Sequence, residues 1–275
     1  MALDTAVFRH AKESALGLPE GGIDPQLLDA LVAQNSDGRI VVPGSELLPR
    51  ADFVREGSDL LLTAPGGDTH LIVNYFALPS PPDLVTEGGA IIRGDLATRL
   101  AGPLAPRQYA QVEGIADDAS GSIGKVDNLV GNVTITRADG TKVTAAKDTA
   151  IFQDDVIETA ADGNLGIVFT DNTTFSLGGD GRMVIDAMIY DAEANTGQGA
   201  IDVVAGTFSF VSGKIAKTGE DAMTVSTPVA TIGIRGTTVA GHAAAEGSDN
   251  TVTLMPDLDG GVGVIGVTSG GAEEF

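Results

Sequence analysis

Apolar positions along this chain change their period as it proceeds. Leu27, Leu28, Leu31 and Val32 form an i, i+1, i+4, i+5 stripe, with Asp24 placed to cap the first turn and Pro25 just inside it, so a short helix is predicted here. Thr5 to Ala15 is also helix-tolerant. From Arg39 the pattern shortens to that of strands. Ile40-Val41-Val42, Leu60 to Thr63 and His70 to Val73, the last two separated by Pro65-Gly66-Gly67-Asp68, predict a small hairpin unit. Pro79, Pro81 and Pro82 each fix φ and remove a backbone donor, and a linker is expected from there through Gly102-Pro103 and Pro106.

From about Ile123 strand and turn alternate at short spacing. Val133 and Ile135 alternate with Thr134 and Thr136, and Asp139-Gly140 turns the chain into Thr141 to Ala145. Leu165, Ile167 and Phe169 share one face, Asp171-Asn172 turns into Phe175 and Leu177, and Gly178-Gly179-Asp180-Gly181 precedes Met183 to Ile185. Ile201 to Val204, Thr207 to Val211, Met223 to Ser226 and Ala230 to Ile234 follow as further separate strands. No crossover helix fits between strands so closely spaced, so the body is mainly β, an all-β domain preceded by a small helical and hairpin N-terminal region. The strands align at no fixed repeat, which leaves both a β-sandwich and a short β-helix open. The domain plan is 1–78 for the helical segment and hairpin, 79–120 for the Pro/Gly-rich linker, 121–268 for the β domain and 269–275 for a terminal tail.

Composition narrows the function. The 275 residues are 43% apolar but only 4% aromatic, with 37 Gly and no Trp, so the core must come from aliphatic side chains packed between many turns. A formal net charge of -22 repels a phosphate backbone, and no nucleic acid partner is expected. With no Cys, disulfides, thiolate catalysis and Cys-based metal sites are excluded. Met1 to Gly22 contains no apolar stretch of secretory length, and nowhere do apolar residues run long enough to span a bilayer as a helix.

Candidate chemistry is sparse. His10, His70 and His242 show no metal-ligand spacing, and no serine sits in a nucleophile elbow, so catalytic, cofactor-binding and metal residues are all expected to be none. The acidic surface leaves calcium open as a partner, but no motif supports it. Gly178 to Gly181 occurs once and has Met183 where a calcium repeat needs a ligand; Asp257-Leu258-Asp259-Gly260 supplies two carboxylates and no closing glutamate.

Several segments resemble the FecR domain family. The opening is Gly124-Lys125-Val126 with Val130 to Val133, followed by Phe152 to Thr159, Gly163 to Phe169 and Asp171-Asn172. The closing segment is the more specific: Val225-Ser226-Thr227-Pro228-Val229-Ala230 and then Ile232-Gly233-Ile234-Arg235-Gly236-Thr237. The likeness covers about 121 to 255. It departs from the family pattern at Asp154-Asp155, where Gly-Asp is usual, and at Asp171-Asn172, where Asp-Gly is usual. The resemblance implies a non-enzymatic, extracytoplasmic β domain whose family-motif residues are Thr227, Pro228, Arg235, Gly236 and Thr237. Gly236 is expected to allow a sharp bend, and Arg235 to pair with carbonyls or an aspartate inside the β body.

Residues 50–76 resemble the N-terminal prefix of large secreted biofilm adhesins. The expected role is therefore a structural or interaction module of a larger secreted or surface protein, found extracellularly or at the cell surface, with an unidentified protein or cell-surface partner. The alternative is a periplasmic sensor acting on a sigma-factor system. FecR-like regulators carry an anti-sigma segment and a transmembrane helix before this domain. Residues 1–120 show neither, which argues against signalling.

Overall fold

The computed structural model describes residues 9–10, 39–42, 47–67, 69–86, 88–103, 121–219, 221–244, 250–256 and 263–269. The chain divides into two compact units, 1–108 and 109–275.

The first unit contains β1 (Arg9–His10), β2 (Ile40–Val42), helix α1 (Leu47–Arg50), β3 (Asp52–Glu56), β4 (Asp59–Thr63), β5 (Thr69–Ile72), β6 (Leu84–Thr86), β7 (Ile91–Ile92) and helix α2 (Gly94–Ala101). Four strands form a sheet in the order β1-β5-β4-β3, and three form another in the order β2-β6-β7. Alternation on β4 turns Leu60 and Leu62 inward, where they meet Ile72 of β5 in the core. Most of the helical region expected within 1–40 lies outside the described residues. The exception is Arg9–His10, which extends the edge of β5 opposite Leu71 and His70 as a strand. A β5 edge offers unpaired backbone groups, and these two residues take them up.

The linker expected from residue 79 ends early. Residues 79–83 contain no regular element, but β6 then pairs in parallel with β2 and antiparallel with β7, and α2 follows. The prolines act as scaffold: the buried Tyr75 hydroxyl donates to the Pro82 carbonyl at 2.7 Å. Asp83 accepts from the Gly94 backbone N–H at 3.1 Å, and a side chain at Gly94 would collide with the Pro81 carbonyl. Leu84, Ile92, Leu96 and Leu100 supply the apolar face that the proline signal conceals.

The second unit is one 14-stranded sheet. Its strands are β8 (Gly124–Val130), β9 (Val133–Thr136), β10 (Lys142–Thr144), β11 (Ala150–Ile151), β12 (Val156–Thr159), β13 (Asn164–Phe169), β14 (Thr174–Leu177), β15 (Arg182–Asp191), β16 (Thr196–Val211), β17 (Met223–Ser226), β18 (Ala230–Arg235), β19 (Thr238–Ala243), β20 (Thr251–Met255) and β21 (Val264–Ser269). The two runs read separately as Ile201 to Val204 and Thr207 to Val211 are one strand, β16. Its first part pairs with β15 and β17, and its last part with β14 and β19. Between them lies Gly206 at φ +99, which bends the strand without ending it.

Two arms consequently diverge from β16, one running β10-β9-β12-β15-β16-β17-β18-β21 and the other β11-β8-β13-β14-β16-β19-β20. Their inner faces share one core, in which Leu165, Ile167, Phe175 and Phe210 of the second arm meet Ile135, Ile157, Ile201 and Val225 of the first. Phe175 stacks on Phe208 and Phe210 with ring centroids 6.1 and 6.2 Å apart. Among the described strands of this unit only β16 and β17 pair in parallel. A β-helix stacks its strands in parallel, so of the two architectures left open the sandwich-like one is found.

Candidate functional site

Thr227-Pro228-Val229-Ala230 closes the hairpin between β17 and β18. The Thr227 N–H donates to the Ala230 carbonyl at 2.7 Å, and the Ala230 N–H donates to the Thr227 hydroxyl at 3.1 Å. Pro228 is buried and pre-sets the turn. Along β18, alternation sends Ile232 and Ile234 into the core and Thr231 and Arg235 out to solvent.

At the end of β18 the chain crosses from one arm to the other. Gly236 adopts φ +55 at this corner, with open space where a side chain would begin except for the Lys217 stem 3.8 Å away. Backbone conformation, not crowding, is what requires glycine here. Thr237 is buried. Its N–H donates to the Ser212 hydroxyl at 2.7 Å, the Ser212 N–H donates back to its carbonyl at 3.1 Å, and the Gly263 N–H reaches its hydroxyl at 3.3 Å. The corner is thus pinned to the segment following β16.

That segment is held in turn by Asp171, which is fully buried. Its carboxylate accepts from the Thr173 N–H (2.9 Å), the Thr173 hydroxyl (2.8 Å) and the Ile215 N–H (3.1 Å), while the Gly213 N–H donates to the Thr173 hydroxyl at 2.9 Å. A 3-10 turn, Ile215–Lys217, starts at this carboxylate and buries Ile215 and Ala216. Lys214 precedes it and Lys217 ends it, and both are exposed.

Residues 155–256 match the model of the FecR protein family. The chain carries a FecR domain. No curated protein and no solved structure matches the chain. β8 to β11 precede the matched residues of the FecR domain yet pair into the same sheet, β8 with β13 and β9 with β12.

Both departures from the FecR pattern fall on left-handed backbone. Asp154 has φ 65 and Asn172 has φ 69. Asp and Asn tolerate this region better than other side-chain-bearing residues, so the turns keep their geometry without glycine. Asp155, the first matched residue, is fully buried, accepts from the Phe152 N–H at 2.8 Å and pairs with the Arg137 guanidinium, which lies over the Phe152 ring at 4.8 Å.

One expectation for the motif is corrected. Arg235 is exposed rather than buried inside the β body, because strand alternation places it on the outer face, as it does Thr231. The motif residues Thr227, Pro228, Arg235, Gly236 and Thr237 do lie on one continuous hairpin and corner. Asp171, read in the sequence only as a turn residue, completes the surroundings with Lys214 and Lys217, which went unnoticed although the spacing Lys214-Ile215-Ala216-Lys217 behind a strand marks a turn that exposes two cations on one side.

The other candidates are placed elsewhere. His70 is buried on β5, and the His242 ring lies 3.1 Å from the Thr207 hydroxyl on exposed surface. Gly178 to Gly181 forms a turn in which the Asp180 N–H donates to the Ala160 carbonyl at 3.2 Å. Asp257-Leu258-Asp259-Gly260 lies outside the described residues. Among the described residues no group of acidic or histidine side chains is arranged to hold a metal, and no helix is long and apolar enough to cross a membrane.

Proposed function

We propose that this FecR domain is a non-catalytic sensor and regulatory module of a sigma-factor signalling system, acting outside the cytoplasm in the periplasm. The family match over 155–256 carries the reading. Arg235 stands exposed at a corner braced by buried Thr237 and Asp171, which is compatible with a domain that presents this end of β18 to a partner. The adhesin reading rests on the likeness of residues 50–76 alone and gains nothing from the comparisons. The test is transcript profiling of a strain lacking the gene, with the wild-type gene restored in a parallel strain. One sigma-dependent set of genes should change on deletion and recover on restoration. An unchanged profile accompanied by lost surface attachment would replace this reading with the structural one.

A further inference from the structure

We propose that β21 is a self-pairing edge, through which two copies of this chain join their sheets antiparallel about a two-fold axis at Gly266. The inference is independent of the signalling reading. Among the described residues four strands of the large sheet, β10, β11, β20 and β21, pair on one side only. Such edges leave backbone N–H and C=O groups pointing away from the sheet, ready to pair with another strand. Three of the four are blunted. β11 is two residues long, β10 is three and carries the exposed Lys142, and β20 runs directly into Pro256. β21 has six residues, none charged and none proline, and the sequence has no charged residue from Gly260 to Ala272.

The core reaches this edge without being closed there. Ile265 and Val267 stand opposite Ile234 and Ile232, which are fully buried, so both belong to the inner face of the sheet. Ile265 is nevertheless only partly buried against the core, and Val267 is 56% exposed. On the other arm, Val252 and Leu254 of β20 are likewise only partly buried. One more strand beside β21 would place a side chain next to Val267 and remove its apolar surface from water.

A second copy of the chain fits this edge in register. Directly opposite residues of an antiparallel pair point to the same face. With the axis at Gly266, Ile265 therefore meets the copy's Val267 and Val267 the copy's Ile265, both on the core side, while Val264 meets Thr268 on the outer side. Centring the axis on Ile265 or on Val267 would instead set the other of the two against Gly263 or Ser269 and lose an apolar pair. A slip by one residue would turn one copy's inner face to solvent. Charge favours the same occupant. A net charge of -22 makes two copies repel, but screening confines each charge's reach to about 8 Å at physiological ionic strength, and along this strand neither copy presents a charge. A basic partner would find no carboxylate on β21 to answer it. With six residues a side the interface is small, so the dimer is reversible and depends on concentration.

The experiment is sedimentation equilibrium of the full 275-residue chain at physiological ionic strength, at concentrations up to about 100 μM, where a monomer–dimer equilibrium should appear. Val267→Lys, at an exposed position, should weaken the dimer by about tenfold or more, with unchanged thermal melting in dilute solution. Cross-linking reads the register, and needs no background removed because the chain contains no cysteine. A side chain at Gly266 meets nothing within 4 Å and, on the two-fold axis, faces its own copy, so Gly266→Cys should form a disulfide-linked dimer under mild oxidation. Val264→Cys should not, because the copy's Val264 lies opposite Thr268, about 13 Å away along the strand. The proposal is overturned if the wild-type chain stays monomeric, if Val267→Lys dimerises as tightly as the wild type, or if Val264→Cys cross-links as readily as Gly266→Cys.

Discussion

Asp155 and Asp171 are both fully buried, and each sits beside a residue of left-handed backbone, yet they are partnered by opposite means. Asp155 takes a guanidinium, Arg137, together with the Phe152 N–H. Asp171 takes the N–H groups of Thr173 and Ile215 and the Thr173 hydroxyl. A cation must itself be desolvated and leaves an uncompensated charge if its partner is lost. Backbone donors are already fixed by the fold, so the second arrangement costs less to assemble and ties together segments 44 residues apart in sequence. The ion pair locks a turn locally; the amide cradle carries the candidate site.

The largest expected effect separates these two solutions. Arg137→Ala, which strands the Asp155 carboxylate, should destabilise the protein by about 4 kcal/mol in urea unfolding. Asp171→Ala removes the charge along with its contacts and orphans buried donors, so about 2 kcal/mol is expected. A larger loss for Asp171→Ala would show that the cradle, and not the ion pair, is the more demanding device.

Next come the left-handed positions. Asn172→Val and Gly236→Val should each cost about 1–2 kcal/mol, because a β-branched residue resists that backbone region, and Asn172→Gly should stay within about 0.5 kcal/mol of wild type. Equal losses for Val and Gly at 172 would assign the Asn172 side chain a role beyond conformation.

The smallest effect belongs to the exposed pair Lys125–Asp148. The hydrogen bond from Lys125 and its charge hold the Asp148 carboxyl below its ordinary pKa, and the same bond raises that of Lys125. A depressed carboxylate stabilises the folded state fully above its unfolded pKa, and the contribution fades as pH falls through the folded value. Lys125→Met should move the Asp148 titration, followed by NMR, upward toward the ordinary value while leaving the unfolding midpoint nearly unchanged. A marked drop in midpoint would show that this surface pair acts more like the buried one.

Legibility in the sequence followed periodicity. β2, β4, β13, β14, β17 and β18 were readable because alternation puts every second side chain in the core, as with Leu165, Ile167 and Phe169. Punctuation residues misled where they served packing. Pro79 to Pro82 read as the start of a long linker, yet Pro82 supplies a carbonyl to Tyr75 and α2 begins against Pro81. Ile201 to Val204 and Thr207 to Val211 read as separate strands, yet Gly206 between them bends β16 within the sheet. At the candidate site the hairpin and the bend at Gly236 were legible from turn chemistry. The exposure of Arg235 was not, since the direction of a side chain depends on which face of the strand finds a core.

What the sequence determined by itself is therefore local: an all-β body with Gly, Asp and Asn at its turns, an acidic surface, no cysteine chemistry, and a motif with the spacing of a FecR domain. These follow from side-chain period and φ preference, which act over a few residues. Only the tertiary structure decided that two strand runs are one, that the arms close over a shared core, and that Asp171 reaches Ile215 to fix the turn whose Lys217 lies near Gly236. Those outcomes depend on pairing between distant segments, where burial of both partners at once, rather than the preference of either, selects the arrangement.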